Sequence, residues 1–279
     1  ATYCPTDGFL EPHIILGEGY RRARELGVEV LTQAEVIGAT LRGGRIERIE
    51  TTRGVLEADW FVNATNAWAP RVSRRIGGMP LPIAPTKRYL YFLKMREPVM
   101  SAEAWAGQPM TIYGLGAGRG ALSRPDGPQL CLAWAHETPP EPAFSDADQD
   151  RIDAPFHHER GIENYGYATL AQLADFAPRL ADAGGLAATT SGFYGMTPDA
   201  DPLIGRDTQQ ENLIHAAGFS GHGLMHAPIT AVLVEAILCG DVADGRVALP
   251  APFERHSITL ATFDPGRDFA SSHAEALVL

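Results

Sequence analysis

Paired cysteines, basic stretches and long apolar runs are all missing from this chain, and each absence removes a class of function. Only three cysteines occur in 279 residues, Cys4, Cys131 and Cys239. They are too scattered for a disulfide framework or a CxxC metal pair, which points to a reducing, cytoplasmic setting with no metal centre. Acidic residues outnumber basic ones 34 to 23, for a net charge of −11. That balance, without any Lys/Arg-rich run, argues against a nucleic-acid partner. The longest apolar run, "APITAVLVEAILCG", contains Glu235 and is too short to span a bilayer, so no membrane partner is expected. The opening "ATYCPTDGF" has neither the charged start nor the apolar centre of a signal peptide. It reads like the tail of a loop, so an earlier part of the protein is expected to precede it.

What is present reads as a soluble globular composition, 45% apolar and 20% charged, with material for one large domain or two smaller ones. The spacing of Leu16, Tyr20, Ala23 and Leu26 predicts an amphipathic helix over 13–26, stopped by Gly27. "VEVLT" reads as a short buried strand. "EVIGATLRGGRIERIETTRGVLEA" alternates around Gly43-Gly44 and Arg53-Gly54, as a hairpin or meander does. "DWFVNAT" is a buried strand running through small residues into a helix, "AWAPRVSRRIG". Beyond "GGMPLPIAP" the pattern changes to strands in "TKRYLYFLK", "PMTIYG" and "QLCLAWAH", with a helix in "YATLAQLADFAPRL". "TTSGFYGM" and "NLIHAAG" return to strand, and Met225–Cys239 is a helix apolar on nearly all faces, expected to be buried and capped by Gly240.

Several motifs compete for a functional reading. "GLGAGRGA" contains G-x-G-x-x-A, but "LSRPDGP" follows where a dinucleotide loop needs a helix, so a flexible surface loop is expected. His222 and His226 form H-x-x-x-H without the Glu of a zinc protease, and with no obvious third ligand beyond nearby His215. His157 and His158 read as surface residues. Asp199 and Asp201, between Pro198 and Pro202, read as turn residues hydrogen-bonding their own backbone. "GFSGHG" is different. Gly218, Gly221 and Gly223 permit a close backbone bend at the start of a helix, where a flat or negative ligand is favoured, although a ligand-free strand–helix turn has the same spacing.

Five segments in order, "DGFLEPHIILGEGYRRARELGVEV", "VNATNAWAP", "LPIAPTKRYLYF", "GFYGMTPDADPLIG" and "AAGFSGHGLMHAP", together resemble the flavoprotein superfamily of D-amino-acid oxidase, glycine oxidase and sarcosine oxidase. The sarcosine oxidase β-subunit and dimethylglycine dehydrogenase branch is the most similar. The resemblance implies an α/β fold: a discontinuous, doubly wound FAD-binding domain of glutathione-reductase type from residues 1–82 and 190–279. A mainly antiparallel (α+β) substrate domain over 83–189 is inserted in it. The N-terminal G-x-G-x-x-G unit of such a domain is absent here, so a partner chain that completes the site is one expectation.

The same resemblance implies FAD as cofactor, with Val36 on its adenine side and Ala64 and Trp68 lining the crevice. Thr197 to Asp199 and the bend Gly218, Phe219, Ser220, Gly221, His222, Gly223 and Leu224 would surround the isoalloxazine. Arg88 would hold a substrate carboxylate, and Tyr194 is a weaker substrate-side candidate. The implied reaction dehydrogenates a small-molecule amine bearing a carboxylate, with oxygen or an electron-transfer protein as final acceptor. Two departures stand out. Gly192 occupies the place of a flavin-linking cysteine, so covalent attachment there is excluded, and Asn66 replaces the glycine of the family's A-A-G-A-W.

Overall fold

The computed structural model describes residues 8–95, 109–116, 119–127, 129–135, 141–142, 170–171, 173–175, 178, 180 and 183–269. Cys4 and the His157-His158 pair lie outside them. Helix α1 (Pro12–Glu25) begins with Pro12 in its first turn and ends before Gly27, whose φ of 86° only glycine adopts without strain. Glu18 pairs with Arg21 and Arg22, and Arg21 with Glu25, along one exposed side of the helix. Strands β1 (Val36–Arg42), β2 (Arg45–Thr51) and β3 (Gly54–Glu57) form the expected antiparallel meander. Gly43 and Gly44, both at positive φ, make its first turn in the two-residue manner that matches strand twist.

Strand β4 (Phe61–Asn63) is short because Ala64 opens a turn into a 3-10 turn, Asn66–Trp68, and helix α2 (Ala69–Arg75). It pairs in parallel with β12 (Leu213–Ala217), more than a hundred residues later, while β12 pairs antiparallel with β11 (Leu203–Arg206). Every residue of β12 is buried, as expected of a strand covered on both faces. The buried carboxamide of Asn212 ties the meander to this sheet. It accepts from Ile46 N at 2.8 Å and donates to Ile46 O at 2.9 Å and Asp59 O at 3.2 Å.

A second, wholly antiparallel sheet contains β5 (Ala84–Met95), β6 (Thr111–Gly116), β7 (Arg119–Asp126), β8 (Gln129–Ala135), β9 (Glu141–Pro142) and β10 (Ala183–Met196). Its order is β10-β5-β8-β7-β6, with β9 also on β5. Tyr91, Leu93, Ala121, Leu130 and Leu132 pack beneath it with Leu173 and Leu180. Chain alternation therefore sends Tyr89, Tyr91 and Leu93 to that core and Arg88 to the other face. Helix α3 (Gly223–Cys239) packs Leu233 and Ala236 against Ile204 of β11 and Val247 of β13 (Arg246–Ala248), which pairs with β14 (Ser257–Thr259). Gly240, at φ 79°, ends it. The result is a mixed α/β fold with a separate antiparallel sheet.

Three expectations need correction. "VEVLT" is not a buried strand: it is irregular, and Val28, Val30 and Leu31 are exposed, because no neighbouring strand pairs with it among the described residues. Helix α3 buries only Leu233, Ala236 and Ile237; Leu224 and Met225 in its first turn are exposed. "GLGAGRGA" is a hairpin rather than a loose loop, since Gly114 pairs with Gly120 and Gly116 with Arg119 across β6 and β7. No helix follows it, so it lacks the geometry of a dinucleotide loop.

One buried carboxylate fixes the approach to the second sheet. Asp207 accepts from Met79 N at 2.7 Å, Gln209 N at 2.6 Å and Gln210 N at 2.7 Å, and lies 2.7 Å from His215 Nε2. Burial pushes its pKa up, but the His215 contact and then the three N–H donors outweigh burial and hold it below its ordinary 3.8. A carboxyl whose folded pKa is depressed stabilises the fold above its unfolded pKa and loses that contribution as pH falls through the folded value. Asp207→Ala is therefore expected to cost about 3 kcal/mol at neutral pH by orphaning buried donors. The loss should shrink in urea melts carried out below roughly pH 4.

Candidate active site

The site is built where β4 and β12 both end. Past β4, Asn63 accepts from Thr65 Oγ1 at 2.6 Å and donates to Ala69 O at 3.0 Å, closing the turn that precedes α2. Asn66 then stands at φ 45°, a conformation asparagine tolerates better than most residues. Its Oδ1 accepts from Gly218 N at 3.0 Å and from Phe219 N at 3.2 Å. Past β12, the chain turns through Gly218 (φ 75°), Ser220 (φ 48°) and Gly221 (φ 98°) into α3. Ser220 is fully buried; its N–H donates to Gly195 O at 3.0 Å, and its Oγ accepts from Thr197 N at 3.2 Å.

The ends of β5 and β10 close the other side. Arg88 pairs with Gly192, and Thr86 with Tyr194, across the two strands. The Arg88 guanidinium consequently stands 5.7 Å from the centre of the Tyr194 ring, on the same face. Arg88 Nε is buried without a hydrogen-bond partner. Burial lowers the Arg88 pKa, with the nearby Tyr194 opposing, and raises that of Tyr194. Arginine nevertheless stays charged. Tyr194 in turn packs on the bend: a Cβ at Gly221 would lie 2.5 Å from its ring. Phe193 makes an edge contact with Trp68, ring centres 5.5 Å apart.

The structure thus brings together Arg88, Tyr194, Thr197 and the bend Gly218–Leu224, while Trp68 meets Phe193 on the other face of β10. Val36 is elsewhere, at the start of β1, with its carbonyl accepting from Arg75 at 2.9 Å. Ala64 is exposed at the end of β4. Asp199 is 1% exposed, and its carboxylate is gripped by Arg267 at 2.7 and 2.8 Å. Arg267 also donates to Pro202 O and Asp201 O, so it locks the whole Thr197–Asp201 turn. Asp199 accepts from Asp201 N at 3.2 Å, the backbone turn bond expected of it. Arg267 was not singled out from the sequence; "DPGRD" offers only turn residues around a lone cation. His222 and His226 approach each other one turn apart, ring centres 5.8 Å, but no group of three potential ligands gathers among the described residues. Among those residues, too, no helix is long and apolar enough to cross a membrane.

The glycines are demanded by space as well as by dihedral angle. A Cβ at Gly218 would meet Thr197 Cγ2 at 2.6 Å. Tyr194 joins this packed bend to the Arg88 guanidinium, whose buried, unpartnered Nε suits a carboxylate. The family described as FAD dependent oxidoreductase (DAO) matches residues 1–237 of this sequence. The chain belongs to that family.

Family relatives include a bifunctional ThiO/ThiG protein of Trichormus variabilis, 26% identical over 91% of this chain and 34% of its own length. A D-amino acid dehydrogenase of Agrobacterium fabrum is 42% identical over a shorter stretch, 25% of this chain and 16% of the relative. The fold matches that of L-proline dehydrogenase from P. horikoshii, with a TM-score of 0.72 at 23% identity over 96% of this chain and 63% of the other. Glycine oxidase from Geobacillus kaustophilus gives 0.62 at 21% identity, over 88% and 55%. The chain therefore spans about a third or less of these two curated relatives, and under two thirds of these structural neighbours.

Two substitutions test this geometry. Gly221→Ala is expected to cost about 1–3 kcal/mol in urea unfolding, because it adds strain at positive φ and a clash with Tyr194. Gly223→Ala should cost far less, since Gly223 is helical and an added Cβ would meet only Phe219 at 3.3 Å. For the turn lock, Arg267→Met should cost about 3–5 kcal/mol, since the Asp199 carboxylate stays buried without its bidentate partner.

Proposed function

We propose that this chain forms the flavin-ring and substrate side of an FAD-dependent amino-acid oxidoreductase acting on an amine next to a carboxylate. The observation that carries the reading is the buried Arg88, charged and stacked on Tyr194, with Nε unpartnered beside the glycine bend. A guanidinium in that state gains most from a planar, bidentate anion. The relatives' names, D-amino acid dehydrogenase and glycine oxidase, support amino acids as the substrate class. The resemblance to the sarcosine oxidase β-subunit and dimethylglycine dehydrogenase branch extends it to N-methylated amino acids.

The residues present fit the ring end of FAD. Positive φ at Gly218 and Gly221 turns the backbone sharply into α3, and the start of α3 favours negative charge on a bound ring. In the proposed division, residues 1–82 and 190–279 carry the cofactor and 83–189 the substrate. Bound FAD supplies the hydride acceptor. Arg88 fixes the substrate carboxylate, and Tyr194 holds the guanidinium in register. The substrate loses hydride from the carbon beside a neutral nitrogen, becoming an iminium cation that water hydrolyses to a carbonyl compound and a protonated amine, so no side-chain base is required for the hydride step.

A second reading is favoured by a different observation. Leu10, Ile14, Leu16, Leu26 and Val28, on and flanking α1, are each more than half exposed, and the chain has no G-x-G-x-x-G sequence. A separate polypeptide unit that covers this surface would complete pyrophosphate binding.

Two measurements separate the readings. Titrating FAD into the purified chain should show weak binding if a second polypeptide is needed; tight, stoichiometric binding removes that requirement. On flavin-loaded protein, with the completing unit supplied if needed, glycine, sarcosine and D-amino acids should bleach the flavin anaerobically. Arg88→Lys should lower the specificity constant roughly ten- to a hundred-fold without releasing flavin. An unchanged constant in both Arg88→Lys and Arg88→Ala would place the anchor elsewhere.

A further inference from the structure

Asn66 stands at a position where the resemblance leads one to expect glycine, and its carboxamide has a specific task. Its Oδ1 is the shared acceptor for two successive backbone donors of the bend, Gly218 N and Phe219 N. Such a paired N–H arrangement is normally available to a bound anion or ring edge. Here it is filled by the chain itself. The opposite side of the bend is held by Ser220 N donating to Gly195 O. A Cβ at Gly195 would stand 2.8 Å from Asn66 Oδ1, so Gly195 keeps the space that lets the carboxamide reach across. Past the bend, Gly223 and Leu224 sit in the first turn of α3, where backbone N–H groups have no intrahelical acceptor.

We infer that Asn66 is a positioning residue that sets the Gly218–Ser220 bend before any cofactor arrives. It also confines backbone hydrogen bonding toward a ligand to Gly221, Gly223 and Leu224 at the α3 start, since His222 N already donates to Phe219 O at 2.8 Å. The role in flavin binding rests on the reading that this bend faces the ring; the role in holding the bend does not. Three features converge on the carboxamide: the positive φ that turns it toward β12, the paired donors it satisfies, and the glycine that makes room for it. Thr65 and Ala69, its neighbours, are instead served by Asn63, so the two asparagines have separate tasks.

Amide hydrogen exchange on the full chain without FAD tests the inference directly. Asn66→Gly keeps the backbone conformation but removes the acceptor, whereas Asn66→Asp keeps an acceptor. Asn66→Gly should accelerate exchange at Gly218 and Phe219 by roughly ten-fold or more, with Leu213 to Ala217 unchanged, and Asn66→Asp should restore protection. Unchanged exchange at 218 and 219 in Asn66→Gly would overturn the proposal. So would a uniform rise throughout β12, or failure of Asn66→Asp to rescue. FAD titrations of the same variants then bear on the flavin reading alone. Slower exchange at 221, 223 and 224 on adding FAD would support it. An Asn66→Gly chain with a loosened bend but unaltered FAD affinity would leave Asn66 as the bend's organiser and remove its flavin role.

Discussion

The parallel pairing of Phe61–Asn63 with Leu213–His215 is the constraint on which the rest depends. It joins segments from opposite ends of the described chain, and parallel strands close such distances only with everything between them folded out of the way. The intervening chain leaves this sheet, builds the antiparallel sheet of β5 to β10, and returns through β11. Because the two parallel strands end together, the turns that follow them meet. Asn66 then lies against Gly218, although 152 residues separate them. A one-residue slip of β4 would turn Asn63 outward and put Val62 in its place.

Strain is concentrated at that meeting point. Asn66, Ala200, Ser220, Gly218 and Gly221 all have positive φ, and each non-glycine among them costs free energy that its surroundings must offset. Asn66 is offset by two accepted hydrogen bonds and Ser220 by its full burial and hydroxyl contacts. Ala200 is offset by the Arg267 lock on either side of it. Such a surface is rigid before a ligand binds, which suits a site whose contribution is orientation rather than bond-making.

Much of this was legible in the sequence, and the exceptions share a cause. The meander, β4, β12 and the glycine stop of α1 follow from local alternation and glycine chemistry. The α1 periodicity was equally clear, yet its apolar stripe is exposed, since periodicity reports a face that needs covering and not whether anything covers it. "VEVLT" failed for the same reason: a strand is a pairing, and its β-branched residues supply only the propensity. The "GFSGHG" bend was visible because glycine spacing is a local signal, whereas Arg88 was singled out through the family resemblance. Arg267 and the Asp207–His215 contact were not visible, because each joins residues whose sequence contexts read as turn or strand alone.

The exposed aliphatic side chains around α1 and the buried Arg88 guanidinium are linked by one physical argument. A soluble chain rarely leaves a contiguous row of large aliphatic side chains in water, and it rarely buries a guanidinium nitrogen without an acceptor. Each feature carries a free-energy cost, which apolar surface would offset in the first case and a planar anion in the second. They lie on different parts of the molecule, α1 with its following turn in one case and the β5–β10 edge in the other. The glycine bend is pressed against Tyr194, whose ring also carries the Arg88 guanidinium, so one aromatic side chain joins Arg88 to the surface that Asn66 holds in place.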